Sequence, residues 1–155
     1  MSENIKLVCP HCNTINQFPA AKLRLTEHTS AEKTVSPNCG SCKEPLLTGA
    51  PIEVNSQALN RHIQHSGIPV LVDFWAPWCG PCQSFAPTFT HYARANTSEI
   101  RCLKLNTESN QSAGAAHHIR SIPTLALFNG GKEIDRVSGA MNKTQLTQWV
   151  TQTLK

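Results

Sequence analysis

The stretch Val70–Cys82, VLVDFWAPWCGPC, decides how this chain is read. It opens as an apolar run, Val70-Leu71-Val72, is interrupted by Asp73, and continues through Phe74 and Trp75. A short run of β-branched and aromatic residues predicts a strand covered on both faces. After Ala76-Pro77-Trp78 come Cys79 and Cys82, separated by Gly80 and Pro81, and then Phe85, Phe89 and Tyr92 at helical spacing. Cys79 is therefore expected where a strand ends and a helix begins. The open N–H groups and the dipole of a helix N-terminus favour an anion. A thiol placed there ionises readily, and its thiolate is a nucleophile. Cys82 follows one turn later, within disulfide reach but facing inward. The pair reads as a dithiol with an exposed attacking sulfur, Cys79, and a resolving sulfur, Cys82.

Asp73 stands out in the same strand. An ionised carboxylate inside an apolar strand costs several kcal/mol, so its pKa is expected to rise toward neutrality. That makes Asp73 a proton acceptor for Cys82 when Cys82 must attack.

Six of the seven cysteines form three C-x-x-C pairs, Cys9/Cys12, Cys39/Cys42 and Cys79/Cys82, and Cys102 is left alone. In a reducing compartment such pairs are metal-binding or catalytic more often than structural disulfides. Cys9-Pro10-His11-Cys12 and Cys39-Gly40-Ser41-Cys42 read as two zinc knuckles supplying four thiolates to one closed site. The loop between them is longer than usual for such sites, but loop length costs little entropy. Between the knuckles only Ile15, Phe18, Leu23, Leu25 and Val35 are large and apolar, too few for a core without a metal. His11 is the alternative ligand, disfavoured because four thiolates already suffice. Neither knuckle has the strand–Trp–helix setting of Cys79, which argues against further redox dithiols.

With 155 residues, 39% of them hydrophobic and 15% charged, the chain fits a domain of about a hundred residues plus a small appendage. No apolar run is long enough to span a membrane. The start, MSENIKLVCPHC, lacks the basic end and apolar stretch of a signal peptide, so a cytosolic address is expected. The net charge of +4 is spread over both halves, and neither carries a basic cluster with interleaved aromatics. A nucleic-acid surface is not expected.

Thr48-Gly49-Ala50-Pro51 marks a boundary between residues 1–50 and 51–155. Ile5–Val8 in the first unit is a short strand. In the second, Pro51–Val54 is a strand, Asn55 or Ser56 caps a helix with Leu59 and Ile63, and Ser66-Gly67 ends it. The helix after the dithiol is expected to bend at Pro87 rather than stop. Ile100–Leu105 is a strand, Ala113–His118 a short helix and Ile122–Phe128 a strand. Asn129-Gly130-Gly131 is a hairpin turn leading into a strand over Lys132–Val137. The last helix presents Leu146, Trp149, Val150 and Leu154 on one face. This order predicts an α/β fold, a mixed sheet with helices on both sides.

WCGPC preceded by VDFWA, with Ile122-Pro123-Thr124 downstream, resembles the thioredoxin family over about residues 51–155. With the N-terminal knuckles, the chain is similar to the zinc-bearing type of bacterial thioredoxin. The resemblance implies the thioredoxin fold with a small zinc-ribbon-like unit, and protein-disulfide reductase activity. It implies recharging by thioredoxin reductase with NADPH, which is not bound here, and no organic cofactor. It makes Asp73 the buried family acid, Lys104 the basic residue beside it and Pro123 a cis-proline next to the dithiol. The backbone of Ile122 would pair with an extended substrate segment. Trp75, Trp78, Gly139 and Ala140 would form the apolar contact surface, with Gly80 and Pro81 between the cysteines favouring reduction. Trp149 and Phe85 are expected to be core. Ser121 and His118 stand where many thioredoxins have glycine.

The expected partners are disulfide-containing proteins and thioredoxin reductase, met by a monomer, with one Zn²⁺ held by Cys9, Cys12, Cys39 and Cys42. The catalytic unit is expected to fold without the zinc unit. The rival reading is a zinc-ribbon module that binds nucleic acid or unfolded protein, with the redox domain secondary. Weak basic charge and few aromatics in residues 1–50 count against it.

Overall fold

The computed structural model describes residues 3–23 and 37–155. Leu25 and Val35, counted above among the apolar residues between the knuckles, lie outside the described residues.

The N-terminal part holds a two-stranded antiparallel sheet, β1 (Asn4–Val8) and β2 (Ile15–Pro19). The rest builds a five-stranded sheet from β3 (Ile52–Val54), β4 (Val70–Trp75), β5 (Arg101–Asn106), β6 (Thr124–Asn129) and β7 (Lys132–Ser138). Their order is β3-β5-β4-β6-β7. The β3, β5 and β4 strands run parallel, and β6 and β7 are antiparallel additions. The helices are α1 (Ser56–His65), α2 (Gly80–Ala95), α3 (Gln111–Ala116) and α4 (Lys143–Thr153).

Strand alternation divides the core into two layers. Val70, Val72 and Phe74 of β4 pack with Leu59 and Ile63 of α1 and with Ala113 of α3. Leu71 faces the other way, with Phe85 and Phe89 of α2 and with Leu146 and Val150 of α4. Helices thus cover both faces, as the sequence order implies. Asp73 shares the α2/α4 face with Leu71, two residues nearer the end of β4.

Local chemistry sets the element ends. Asn55 caps α1, its side chain accepting from the Ala58 N–H at 2.8 Å. Asn142 and Gln145 form a reciprocal capping box on α4. Gly130 and Gly131 both have positive φ, as a two-residue hairpin turn requires. The α2 helix runs on through Pro87.

Two sequence expectations change. The strand expected from Ile122 begins at Thr124, because Pro123 has no N–H to give to a ladder. Gly67 is not a left-handed helix cap. It is glycine because β1 passes so close that a Cβ would collide with the Ile5 side chain and crowd the Lys6 backbone. Its N–H donates to the Lys6 carbonyl at 2.7 Å.

The cysteine-bearing part also has more apolar support than the inter-knuckle residues offered. Leu7, Phe18, Leu23, Leu46 and Leu47 pack with Cys9 and Cys39 and against Ile68. Arg101, at the start of β5, is 2% exposed. Its guanidinium donates to the carbonyls of Val8 and Leu46, one beside each knuckle. Arg61 of α1 donates to the Asn13 carbonyl. The sequence reading gave no reason to expect these ties between the two sheets.

Candidate active site and metal centre

The β4 strand delivers the chain to Trp75, and Cys79 occupies the N-cap of α2 in extended backbone. Its sulfur accepts the Cys82 N–H at 3.2 Å, so a sulfur takes the place of the usual capping oxygen. Pro81 sits in the first turn, where a missing N–H costs nothing. Cys79 and Cys82 are joined as a disulfide with Cα atoms 5.2 Å apart, so the dithiol is in its oxidised form.

In that form both cysteines are buried, which corrects the expectation of an exposed Cys79. What separates them is their surroundings. Trp78 is 71% exposed, and Gly80 and Pro81 are open to solvent beside Cys79. The Cys79 sulfur lies 3.7 Å from the Ile122 carbonyl oxygen. The Ile122–Pro123 bond is cis. Gly139, with φ of 98°, gives its N–H to the Pro123 carbonyl at 2.8 Å, and Ala140 follows it in the open. A groove of about 400 Å³ bordered by Trp78, Ile119, Arg120 and Ile122 runs alongside. His118, one of the two departures from glycine, sits at φ of 54°, a conformation glycine adopts more easily.

Asp73 is 1% exposed, and neither carboxyl oxygen has a hydrogen-bond partner among the described residues. Burial pushes its pKa up to about 7, with Lys104 pulling it down and Glu53 pushing it up. Lys104 is the register partner of both Glu53 and Asp73 across neighbouring strands. Its ammonium nevertheless lies 4.0 Å from a Glu53 oxygen and 4.4 Å from the Trp75 ring centroid. The Trp75 ring, expected only as part of the contact surface, thus holds a cation. Trp149 and Phe85 pack against the core as expected, and the Trp149 indole N–H donates to Asp135.

The four remaining paired cysteines meet. Their sulfurs all lie within 4.8 Å of one another, with Cys9–Cys42 and Cys12–Cys39 separations of 3.6 Å. A tetrahedral ion with metal–sulfur bonds of about 2.3 Å needs edges near 3.8 Å. The two knuckles repeat one backbone pattern. The N–H groups of Cys9 and Cys39 donate to the carbonyls five residues on, at Thr14 and Glu44. The fourth residue after each first cysteine, Asn13 or Lys43, has positive φ and donates back to that cysteine's carbonyl. The N–H groups of His11 and Ser41 point at the Cys9 and Cys39 sulfurs. Such donors stabilise thiolates.

The Cys42 N–H and the Asn16 amide hold the Cys39 thiol down at about 6. Cys42 moves the other way: a backbone bond to Glu44 favours its thiolate, but burial and the neighbouring sulfurs outweigh it. Four cysteine sulfurs at this spacing could hold a metal ion, and the donor set fits a closed structural zinc site. His11 is exposed and outside the cluster.

Three residues with no reading in the sequence matter here. Asn16 bridges the knuckles, its amide donating to Cys39 Sγ and its carbonyl oxygen accepting the Gly40 N–H. Arg101 ties both knuckles to the large sheet, and Glu53 holds Lys104. No local motif marks any of them, because each acts across elements distant in sequence. Cys102 is buried in the α2/α4 layer, and burial pushes its thiol far up, which makes it inert.

Comparison with known proteins agrees with this geometry. The family described as Thioredoxin matches residues 50–152. Thioredoxin C-3 of Corynebacterium nephridii is 42% identical over 149 residues, covering 96% of this chain and 95% of its own length. That span runs through the cysteine-bearing N-terminal part. Thioredoxin 1 of Nostoc sp. is 43% identical over 99 residues, covering 64% of this chain and 92% of its own. The M-type chloroplastic thioredoxin of Chlamydomonas reinhardtii is 41% identical over 97 residues, 63% of this chain and 69% of its own. A disulfide at a strand-to-helix junction beside a cis-proline, on a sheet that the family match covers in full, leaves one conclusion: the chain belongs to the thioredoxin family and is a protein-disulfide oxidoreductase.

Proposed function

We propose that this protein is a cytosolic, monomeric protein-disulfide reductase whose WCGPC dithiol, Cys79 and Cys82, is recharged by an NADPH-dependent thioredoxin reductase. The placement of Cys79 as the N-cap of α2, beside Ile122 and exposed Trp78, carries this reading. In the reduced state, the Cys79 thiolate attacks one sulfur of a substrate disulfide. A Cys79–substrate disulfide forms, and the other substrate sulfur leaves as a thiolate that takes a proton. Asp73, unpaired in its buried setting, accepts the Cys82 proton. The Cys82 thiolate attacks Cys79 Sγ, closing the Cys79–Cys82 disulfide and expelling the second substrate thiolate. Two electrons pass from the dithiol to the substrate.

Trp78, Gly80, Pro81, Ile122, Pro123, Gly139 and Ala140 form the substrate surface, with Ile122 offering backbone groups to an extended segment. Lys104 acts on Asp73 through its charge. Residues 51–155 form the catalytic domain and residues 1–50 the metal unit. Cys9, Cys12, Cys39 and Cys42 hold one Zn²⁺ there, which when bound neutralises the four thiolates and fixes the two knuckles together. Reduction of insulin disulfides in a coupled assay with NADPH and thioredoxin reductase tests the activity. The full-length protein is expected to turn over, and Cys79→Ser to be inactive. Equal rates for the two would sink the reading.

A further inference from the structure

The register of the large sheet sets three charged side chains in one row on the α2/α4 face. Glu53 pairs with Lys104 across β3 and β5, and Lys104 pairs with Asp73 across β5 and β4. The alternation confirms the shared face: Ile52 and Val54 belong to the opposite layer, and Leu71 and Cys102, two residues before Asp73 and Lys104, lie together in the α2/α4 layer. A cation centred between two carboxylates has a choice of partner. Lys104 takes Glu53, at 4.0 Å, with its ammonium over the Trp75 ring. Among the described residues Asp73 is left with no ion pair and no hydrogen bond.

Burial explains why that choice matters. The Glu53 side chain is 59% exposed and keeps most of its hydration, whereas Asp73 is 1% exposed. Glu53 and the Trp75 face together offer Lys104 a site at the edge of the sheet, where water still reaches the ammonium at 18% exposure. Drawing Lys104 onto Asp73 would ionise the buried acid and fix its proton in solvent, which would take away the group that accepts the Cys82 proton.

We propose that Glu53 is a positioning residue for the dithiol reaction: it anchors Lys104 over Trp75 and away from Asp73, so that Asp73 stays free to exchange a proton on the face of the sheet that α2 covers. Glu53 touches neither substrate nor reacting sulfur. It acts through Lys104 and, more weakly, through its own charge across the row. Among the described residues, Lys104 on β5 and Glu53 on β3 beyond it share the row of Asp73, and the apolar Leu125 is its register partner on β6. The α2 helix, which carries Cys82, packs on the same face through Phe85 and Phe89. The two charged neighbours act in opposite directions on the Asp73 carboxyl.

The proposal rests on the reading of Asp73 as proton acceptor, so the test reads Asp73 itself rather than turnover. The Asp73 carboxyl is titrated by ¹³C NMR in the full-length protein and in Glu53→Gln, Lys104→Met and the double variant. Glu53→Gln removes a negative charge and releases Lys104, so the midpoint is expected to fall by about one pH unit. Lys104→Met is expected to raise it. In the Lys104→Met background, Glu53→Gln is expected to move the midpoint by less than half as much, since no cation remains to be released. An unchanged midpoint in Glu53→Gln, or the same shift with and without Lys104, overturns the proposal. A failure of Asp73 in turnover would show instead as an unaltered pH–rate profile in Asp73→Asn and would leave this titration result standing.

Discussion

The Arg101 guanidinium donates a hydrogen bond of 2.6 Å to the carbonyl of Val8, the residue immediately before Cys9. The same guanidinium donates to Leu46, just after the second knuckle. One fully buried cation of the large sheet thereby satisfies two carbonyls of the cysteine-bearing part. The cysteine-bearing part is bonded directly to the large sheet.

Removing that cation without leaving a large cavity tests the tie. Arg101→Met leaves two buried carbonyls without donors, each costing about 1–3 kcal/mol. Urea unfolding is expected to show a loss of about 3 kcal/mol, with faster amide exchange in β1 and around Leu46. Unchanged stability and unchanged exchange would mean that the Arg101 bonds contribute nothing to holding the two parts together.

The sequence was most legible where chemistry is local. VLVDFW alternates between two layers, Gly130-Gly131 makes a tight hairpin, and the two C-x-x-C turns, alike only in their cysteines, made the same backbone pattern. Asp73 was visible because an acid among Leu71, Val72 and Phe74 interrupts an otherwise apolar strand. What stayed hidden depends on long-range pairing. Nothing near Arg101 in the chain says that it reaches Val8 and Leu46. Nothing near Glu53 says that it competes with Asp73 for Lys104. Gly67 read as a helix terminator because glycine often is one, whereas its lack of a Cβ serves the approach of β1. The burial of Cys79 in the oxidised state was missed for a related reason: the cover comes from the Ile122 loop, forty residues away.

Asp73 carries a stability cost that depends on pH. Its folded pKa of about 7 lies above the unfolded value of 3.8, so the folded state holds one more proton between them. Stability from this group is full below about pH 4 and is lost as pH rises to 7. Asp73→Asn is therefore expected to be more stable than the parent above pH 7, by about 4 kcal/mol at most, with the advantage gone near pH 4. Chemical denaturation at pH 4, 6 and 8 measures it. The same substitution is expected to slow turnover at neutral pH and to remove the rate transition near 7. A constant stability difference across that range would place the titrating group elsewhere.

His62 works in the opposite direction. It is fully buried on α1, with neither ring nitrogen hydrogen-bonded among the described residues. Burial, helped by the Arg101 charge, lowers its pKa from 6.5 to about 3. The unfolded chain binds a proton that the folded one refuses, so stability falls as pH drops below 6.5 and goes on falling to about 3. Against a His62→Leu variant, the parent is expected to lose about 2 kcal/mol between pH 7.5 and pH 5. Asp73 titrates alike in both proteins and cancels. Parallel stability curves would show that His62 is protonated in the folded state.

The four-sulfur cluster makes a stoichiometric prediction. Elemental analysis of the full-length protein is expected to find one zinc per chain, kept in Cys79→Ser and lost in Cys39→Ser. Chelation is expected to free four thiols to a colorimetric reagent while leaving insulin reduction in place, because the dithiol shares no ligand with the cluster. Zinc that survived Cys39→Ser, or left with Cys79→Ser, would contradict the assignment of Cys9, Cys12, Cys39 and Cys42.

The roles given to the two sulfurs of the dithiol face the most direct test in trapping. Reduced Cys82→Ser and Cys79→Ser proteins are each incubated with a disulfide-bonded protein, quenched with acid, and analysed by intact mass without reductant. Cys79 attacks and Cys82 resolves, so Cys82→Ser is expected to accumulate a mixed disulfide through Cys79, and Cys79→Ser to accumulate none. Equal trapping by both variants, or trapping by Cys79→Ser alone, would contradict the mechanism.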